Sequence, residues 1–415
     1  MLDVNIPYGK QNISGKDTKS VDAVLRSDWI TQGSKVGEFE ACLARYCNSK
    51  FAVAVSSGTA ALHLACLAAG IGKGDEAITS PITFLATPNS VLYTGAKPVF
   101  SDIDYETVNI SPVEISKNLT RRTRVILPVH FAGLPCKMPE ISKIARKNKL
   151  IVIEDGCHAL GAEYKHGKEL VKVGSCRHSH MTVFSFHPVK HITTGEGGAI
   201  TTNSKELYKK LCMLRTHGVY RDQKMARARG GWYYEMRSLG FNYRITDFQC
   251  SLGISQMGRI DRFLSERRKM ADVYDKEFSG MGEVIRIPNQ RVDSERHAYH
   301  LYLLRLNPEY IFFSGSPRCS AFSVADNGRK VGLERNRVID ELIEKGIRAQ
   351  VHYIPVYKQP YYRENGYGRV NCISSEKYFN ETISLPIYPG LSTDQQGYVI
   401  KNVKKALCAA AKKSR

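Results

Sequence analysis

The chain has 415 residues, 42% of them hydrophobic, 24% charged and 9% aromatic, with a formal net charge of +20. That length supports two or three domains of roughly 100–200 residues, and the apolar share is enough for a sizeable core and excludes a disordered chain. The surplus of Lys and Arg is scattered in short clusters such as RRTR at 121–124, without a zinc-finger, helix-turn-helix or aromatic RNA-binding motif; this argues against a nucleic-acid partner and leaves a charge that hastens the arrival of a small anion such as a nucleoside diphosphate.

In chain order, FAVAV (51–55) reads as a strand and GTAALHLACLAAG (58–70) as a buried helix. EAITS (76–80) is a strand, followed by a helix through PNSVLYTG (88–95). The alternation continues with KPVFSDI (97–103), TRVILPVH (123–130), the helix PEISKIARKNK (139–149), the strand LIVIED (150–155), MTVFSF (181–186) and GAITTN (198–203). Apolar strands separated by helices predict an α/β fold whose largely parallel sheet is covered on both faces. Ligands gather beyond the carboxyl ends of such strands.

After Gly258 the pattern changes, so a large domain over 1–258 and a smaller α+β domain over 259–415 are expected. A long polar helix, RIDRFLSERRKMADVYDKEF (259–278), would link them. The second domain would hold the strand HAYHLYLLRL (297–306), the helix RNRVIDELIEKG (335–346), the strand IRAQVHY (347–353) and a final helix from Thr393. The stretch 310–334 fits no regular pattern and reads as an exposed insertion. GIGKGD (70–75) lacks phosphate-loop spacing and reads as a glycine helix stop with a turn.

The opening MLDVNIPYGKQN lacks a basic-then-apolar leader, and no apolar run reaches the roughly 18–20 residues that span a bilayer; a soluble cytoplasmic protein without a membrane partner is expected. The eleven cysteines show no CxxC pair. Cys66 and Cys157 lie within apolar runs and read as small reduced core residues.

Four segments carry chemistry. In SSGTAALHL (56–64) the N–H groups that open a helix, with the Ser57 and Thr59 hydroxyls, suit a phosphate, although Ser-Gly-Thr also makes a good helix cap. In IVIEDGCHALGA (151–162) Asp155 ends an apolar strand, where a carboxylate needs a cationic partner such as a protonated ring nitrogen, and His158 follows. TSPITFLATPN (79–89) supplies Phe84, able to cover a flat ring. In FSFHPVKHITTGEGGAI (184–200) Lys190 stands between an apolar strand and a glycine-rich turn that leaves its amine room to swing, and Ser185 can add a second hydroxyl to the phosphate. Together these are the parts needed to hold pyridoxal 5'-phosphate, with Lys190 forming the Schiff base and Asp155 keeping the pyridine nitrogen protonated.

SSGTAALHLA, SPITFLAT, IEDGCHALGA, FSFHPVKHITTGEGGAI and LGFNYRITDFQCSLG, in this order, resemble the DegT/DnrJ/EryC1/StrS family of sugar-nucleotide aminotransferases. The resemblance runs from about Ile6 to HLYLLRL and resumes at RNRVIDELIEKG; the 310–334 stretch departs from it. It implies the pyridoxal-phosphate fold-type I architecture and a homodimer with active sites at the subunit interface. It places His158 by the ring's phenolic oxygen, Phe84 on the ring, and Ser57, Gly58, Thr59 and Ser185 on the phosphate. Asn242 would reach the phosphate across the interface, and Arg244 the carboxylate of the amino donor. Some relatives are dehydratases with histidine at the lysine position; Lys190 favours transamination.

Within the family, VNIPYGKQ (4–11), SDWITQG (27–33) and AQVHYIPVYKQPYY (349–362) resemble members that aminate C4 of a UDP-linked 4-keto-6-deoxy-N-acetyl hexose with L-glutamate, in pseudaminic acid synthesis. That similarity implies that Tyr8, Asp28, Trp29, Ile30, Thr31, Gln350, Val351, His352 and Tyr353 line a UDP-sugar site. Another UDP- or dTDP-keto sugar, a dehydratase, or a non-catalytic basic protein with the same fold are the competing readings. His178, His180, His187 and His191 are close in sequence, but no catalytic metal is expected.

Overall fold

The computed structural model describes residues 5–287, 296–308 and 324–413. Nine strands precede residue 203: β1 Phe51–Val55, β2 Glu76–Thr79, β3 Lys97–Phe100, β4 Thr123–Leu127, β5 Ile151–Asp155, β6 Glu163–His166, β7 Glu169–Lys172, β8 Met181–Ser185 and β9 Gly198–Thr202. Seven form one sheet in the order β1-β9-β8-β5-β4-β2-β3, and β6 and β7 make a separate two-stranded ladder. The pairs β2–β3, β2–β4, β4–β5 and β5–β8 are parallel. Only β9 departs: it runs antiparallel to both β8 and β1. Its connection from β8 is the Lys190 segment, residues 186–197, which forms no helix and returns the chain antiparallel.

The sheet is covered on both faces, as its apolar strands require. On one side lie α2 Ser34–Cys47 and the helix Met138–Lys147, and this core includes Phe39, Leu43, Ile141 and Phe186, while α1 Gly15–Leu25 packs on the helix Asp247–Met257. On the other lie α3 Gly58–Ala69 and α4 Ala86–Tyr93, packed through Leu62, Leu64, Cys66 and Val91. Gly70 caps α3 with φ +78°, so GIGKGD is the helix stop its sequence suggested.

A second core surrounds a three-stranded antiparallel sheet of Ile285–Arg286, Tyr302–Leu306 and Thr382–Leu385, flanked by the helices Val324–Glu344 and Thr393–Lys413. The helix Ile260–Phe278 is more than the polar link its composition suggested. It buries Ile260, Phe263 and Leu264 in the first core and Met270, Ala271, Tyr274 and Phe278 in the second. At the other end of the chain, Ile6 pairs with Ile347 and is buried in the second core.

Two further expectations change. IRAQVHY is not a strand; it makes only isolated bridges at Ile347 and Gln350. Of the stretch 310–334, residues 324–334 are helical, the opening turns of Val324–Glu344, and residues 310–323 lie outside the described residues. No helix among the described residues is long and apolar enough to cross a membrane.

Candidate active site

The carboxyl ends of β5 and β8, the start of α3 and the turn before α4 converge on a cavity of about 480 Å³. Its walls include Tyr8, Ser57, Gly58, Thr59, Phe84, Asp155, His158, Ser185, Lys190, His352 and Tyr353, eleven of the positions expected from sequence.

The start of α3 is built for an anion. Ser57 caps the helix, its Oγ accepting from Ala60 N at 3.0 Å, so it serves as a cap while also lining the cavity. The N–H groups of Gly58 and Thr59 open the helix, where no intrahelical acceptor is available and the dipole is positive. Glycine is required at 58 by a close approach: a Cβ there would lie 2.8 Å from Ser185 Cβ and 3.1 Å from its Oγ. Any side chain would wedge the two hydroxyl-bearing segments apart.

Asp155 is buried at the end of β5. Its Oδ2 accepts from the Thr87 hydroxyl at 2.7 Å and its Oδ1 from Cys157 N at 3.1 Å. Lys190, half-buried, shares the cavity and lies close enough to Asp155 for their charges to act on each other. Burial lowers the Lys190 amine below the usual lysine range; the Arg267 charge adds to this, while Cys157 and Asp155 oppose it. A lysine shifted this way carries more free base at neutral pH.

His158 is buried, its Nε2 lies 3.5 Å from the Tyr353 hydroxyl, and its Nδ1 has no protein partner. Burial first, then the Lys190 charge, hold it well below the usual histidine range, so the ring is neutral. Phe84 is 57% exposed, with its ring centroid 6.2 Å from that of Tyr353. An exposed phenylalanine at a cavity mouth is positioned to cover a bound group.

The other expected residues lie elsewhere in this subunit. Asp28, Trp29, Ile30 and Thr31 are exposed; Ile30 O accepts from Asp247 N at 2.9 Å, and Thr31 bridges Thr246. Asn242 pairs with Thr216, and Arg244 lines a second, smaller cavity with Gln32, Glu40 and Arg215. Gln350 is exposed and bridges Ser384, while Val351 packs on the second core. The four neighbouring histidines diverge: His178 meets the Tyr164 hydroxyl, His180 accepts from Val152 N, His191 donates to Ala298 O, and only His187 lines the cavity.

Sequence reasoning missed several wall residues: Thr87, His300, Glu196 and Cys157. Thr87 had a usable signal, a hydroxyl just inside the helix that follows the expected Phe84 turn. Cys157, read from sequence as core, is only half-buried and stands on the cavity wall.

Known proteins resemble this chain along almost its whole length. The sequence profile described as the DegT/DnrJ/EryC1/StrS aminotransferase family matches residues 11–311 and 319–404. Spore coat polysaccharide biosynthesis protein SpsC of Bacillus subtilis is 37% identical over 402 residues, covering 96% of each chain. The UDP-4-amino-4,6-dideoxy-N-acetyl-beta-L-altrosamine transaminase of Campylobacter jejuni is 34% identical over 413 residues, covering 97% of this chain and 100% of that protein. Spr1654 of Streptococcus pneumoniae, solved in a PMP form, superimposes with a TM-score of 0.86 at 29% identity, covering 98% of this chain and 100% of that one; its PLP form gives 0.84.

The wall residues fit pyridoxal phosphate. The glycine-lined cradle suits a phosphate, the buried carboxylate suits a ring N–H, Lys190 brings a primary amine, and His158 Nδ1 is a buried atom awaiting a partner. This chain belongs to the DegT/DnrJ/EryC1/StrS aminotransferase family.

Proposed function

We propose that the protein moves an amino group from L-glutamate to the C4 ketone of a UDP-linked 4-keto-6-deoxy-N-acetyl hexose, as in pseudaminic acid synthesis. The observation that carries aminotransfer is the single cavity shared by the Lys190 amine, the Asp155 carboxylate and the Ser57–Thr59–Ser185 cradle. The sugar rests on likeness to the altrosamine transaminase over the whole chain.

Pyridoxal phosphate, when bound, supplies a carbonyl that condenses with amines and a ring that accepts the electrons left behind when a neighbouring proton departs. The chain's residues do the rest. The helix start and three hydroxyls bind the phosphate. Asp155, its oxygens fixed by Thr87 and the Cys157 N–H, holds a proton on the ring nitrogen. Lys190 Nζ, its basicity lowered by burial, takes the α-proton of the donor and later returns a proton at the sugar carbon. Phe84 and Tyr353 exclude water from the mouth.

The working unit in this reading is a homodimer. Trp29, Ile30, Trp232 and Leu239 are exposed apolar side chains, and Trp29 and Ile30 adjoin the segment that holds Asn242 and Arg244. In such a dimer, residues that lie outside their own cavity beside this surface would complete the partner's cavity.

The test is incubation with glutamate and a panel of UDP- and dTDP-4-keto sugars, with products read by mass. An amine on the UDP-linked N-acetyl sugar supports the proposal, and water loss would replace it with a dehydratase. SpsC motivates a second reading, an amino sugar destined for a polysaccharide, which a preference for a different keto sugar would favour.

A further inference from the structure

We propose that His300 is a positioning residue: its ring, carried on a pinned backbone, fixes the imidazole of His158 in the cavity. The inference rests on the aminotransferase reading above.

His300 and His158 are both buried, their ring centroids are 4.2 Å apart, and their planes meet at 37°. Both line the cavity, and each Nδ1 lacks a protein partner. No hydrogen bond between the two rings holds His158 in place. Its polar contact is the long 3.5 Å approach of the Tyr353 hydroxyl, so its orientation depends on what packs against it. His191 also stands beside His300, with 5.7 Å between ring centroids.

The backbone that carries His300 is pinned far more heavily than a loop before an ordinary strand needs. Arg267, fully buried, donates through one Nη1 to Tyr299 O at 3.1 Å, His300 O at 3.4 Å and Ile387 O at 2.8 Å. Its Nε and Nη2 find no acceptor, so the arginine is kept at a desolvation cost. Arg268 Nε donates to His297 O at 3.0 Å, His191 Nε2 to Ala298 O at 3.1 Å, and Tyr299 N to His297 Nδ1 at 2.6 Å. Tyr299 takes a φ of +46°, strained for a side chain of that size, and the turn it makes directs the next residue to the cavity. Gly133 completes the arrangement. A Cβ there would sit 2.8 Å from His158 O, 3.0 Å from Tyr299 N and 3.1 Å from His300 N, so only glycine lets the two histidine-bearing segments meet. Burial leaves both rings uncharged, so neither repels the other.

A double-mutant cycle tests this on the cofactor-loaded enzyme. His300→Ala is expected to lower kcat about tenfold with the donor KM within about twofold, because it disturbs orientation and not binding. In a His158→Ala background the same change is expected to alter kcat less than about twofold. His300→Phe, which keeps a flat ring, is expected to retain kcat within about threefold. On the cofactor-free protein, the His158 Cε1 resonance in carbon-13 NMR is expected to shift in His300→Ala and much less in His300→Phe. That readout needs no turnover, so it separates failure of this inference from failure of the aminotransferase reading. Independent, multiplying losses in the cycle, a His158 resonance unmoved in His300→Ala, or a folded His300→Phe as slow as a His158 variant would each overturn it. Should His300→Ala fail to fold, the phenylalanine variant and its resonance decide alone.

Discussion

The Thr87 hydroxyl donates to Asp155 Oδ2 over 2.7 Å, and both side chains are buried. The bond fixes a carboxylate at the end of an apolar strand, where an unheld charge would be costly. Removing the carboxylate with Asp155→Ala should lower kcat by about 10²–10³-fold, the scale set by losing one preorganised electrostatic partner. Thr87→Val removes only the orienting hydrogen bond and should cost about tenfold, about 1.4 kcal/mol. Steady-state kinetics on both variants checks the ranking; a Thr87→Val enzyme slower than Asp155→Ala would contradict it.

Lys190 is expected to be indispensable. Lys190→Ala removes the proposed proton carrier and should slow turnover by at least about 10³-fold, while the phosphate cradle, which does not involve it, should still bind the cofactor. Lys190→Arg should be equally inactive, since a guanidinium stays protonated. Equilibrium dialysis of the cofactor with single-turnover mass spectrometry separates binding from chemistry, and either variant turning over at the wild-type rate would remove Lys190 from the mechanism.

Acid should destabilise the cofactor-free protein through its buried histidines. His297 and His352 are both pushed down to about 3 by burial, and His158, His191 and His300 lie well below the ordinary value. The unfolded chain takes up these protons near pH 6.5 and the folded chain does not, so the stability is complete above about 6.5 and is lost as pH falls from there toward 3. Each group contributes up to about 1.4 kcal/mol per pH unit across its window. Urea midpoints should therefore fall between pH 7.5 and pH 5, and a flat profile would show that these histidines ionise freely in the folded state.

If Asn242 serves the partner's cavity, inactive variants should rescue each other. Mixing Lys190→Ala with Asn242→Ala subunits places both lesions in one site of the mixed dimer and leaves the other intact, so random exchange should restore about one quarter of wild-type activity. Sedimentation of the same samples reports whether dimers form. A monomeric enzyme with full activity would end the interface proposal.

Much of the site was legible in the chain because its parts sit at strand ends and helix starts. The apolar runs FAVAV, LIVIED and MTVFSF announced β1, β5 and β8, and the residues just after or within their ends, Ser57, Asp155 and Ser185, duly line the cavity. His300 was hidden because HAYHLYLLRL reads as one strand, whereas the strand begins at Tyr302 and the histidine precedes it on a turn. Periodicity reports which residues alternate, and it does not report a positive φ held by contacts from a distant helix.

The sequence by itself determined the strand and helix alternation, the covered sheet, and the residue types at the strand ends, because burial patterns and caps are local properties of neighbouring residues. Only the tertiary structure decided that β9 turns back antiparallel, that the helix Ile260–Phe278 serves two cores, and that Thr87 and His300 come to stand beside Asp155 and His158. Those pairings join residues 68 apart and more than a hundred apart. Such contacts follow from how helices and sheet close around one cavity, and no short window of sequence contains them.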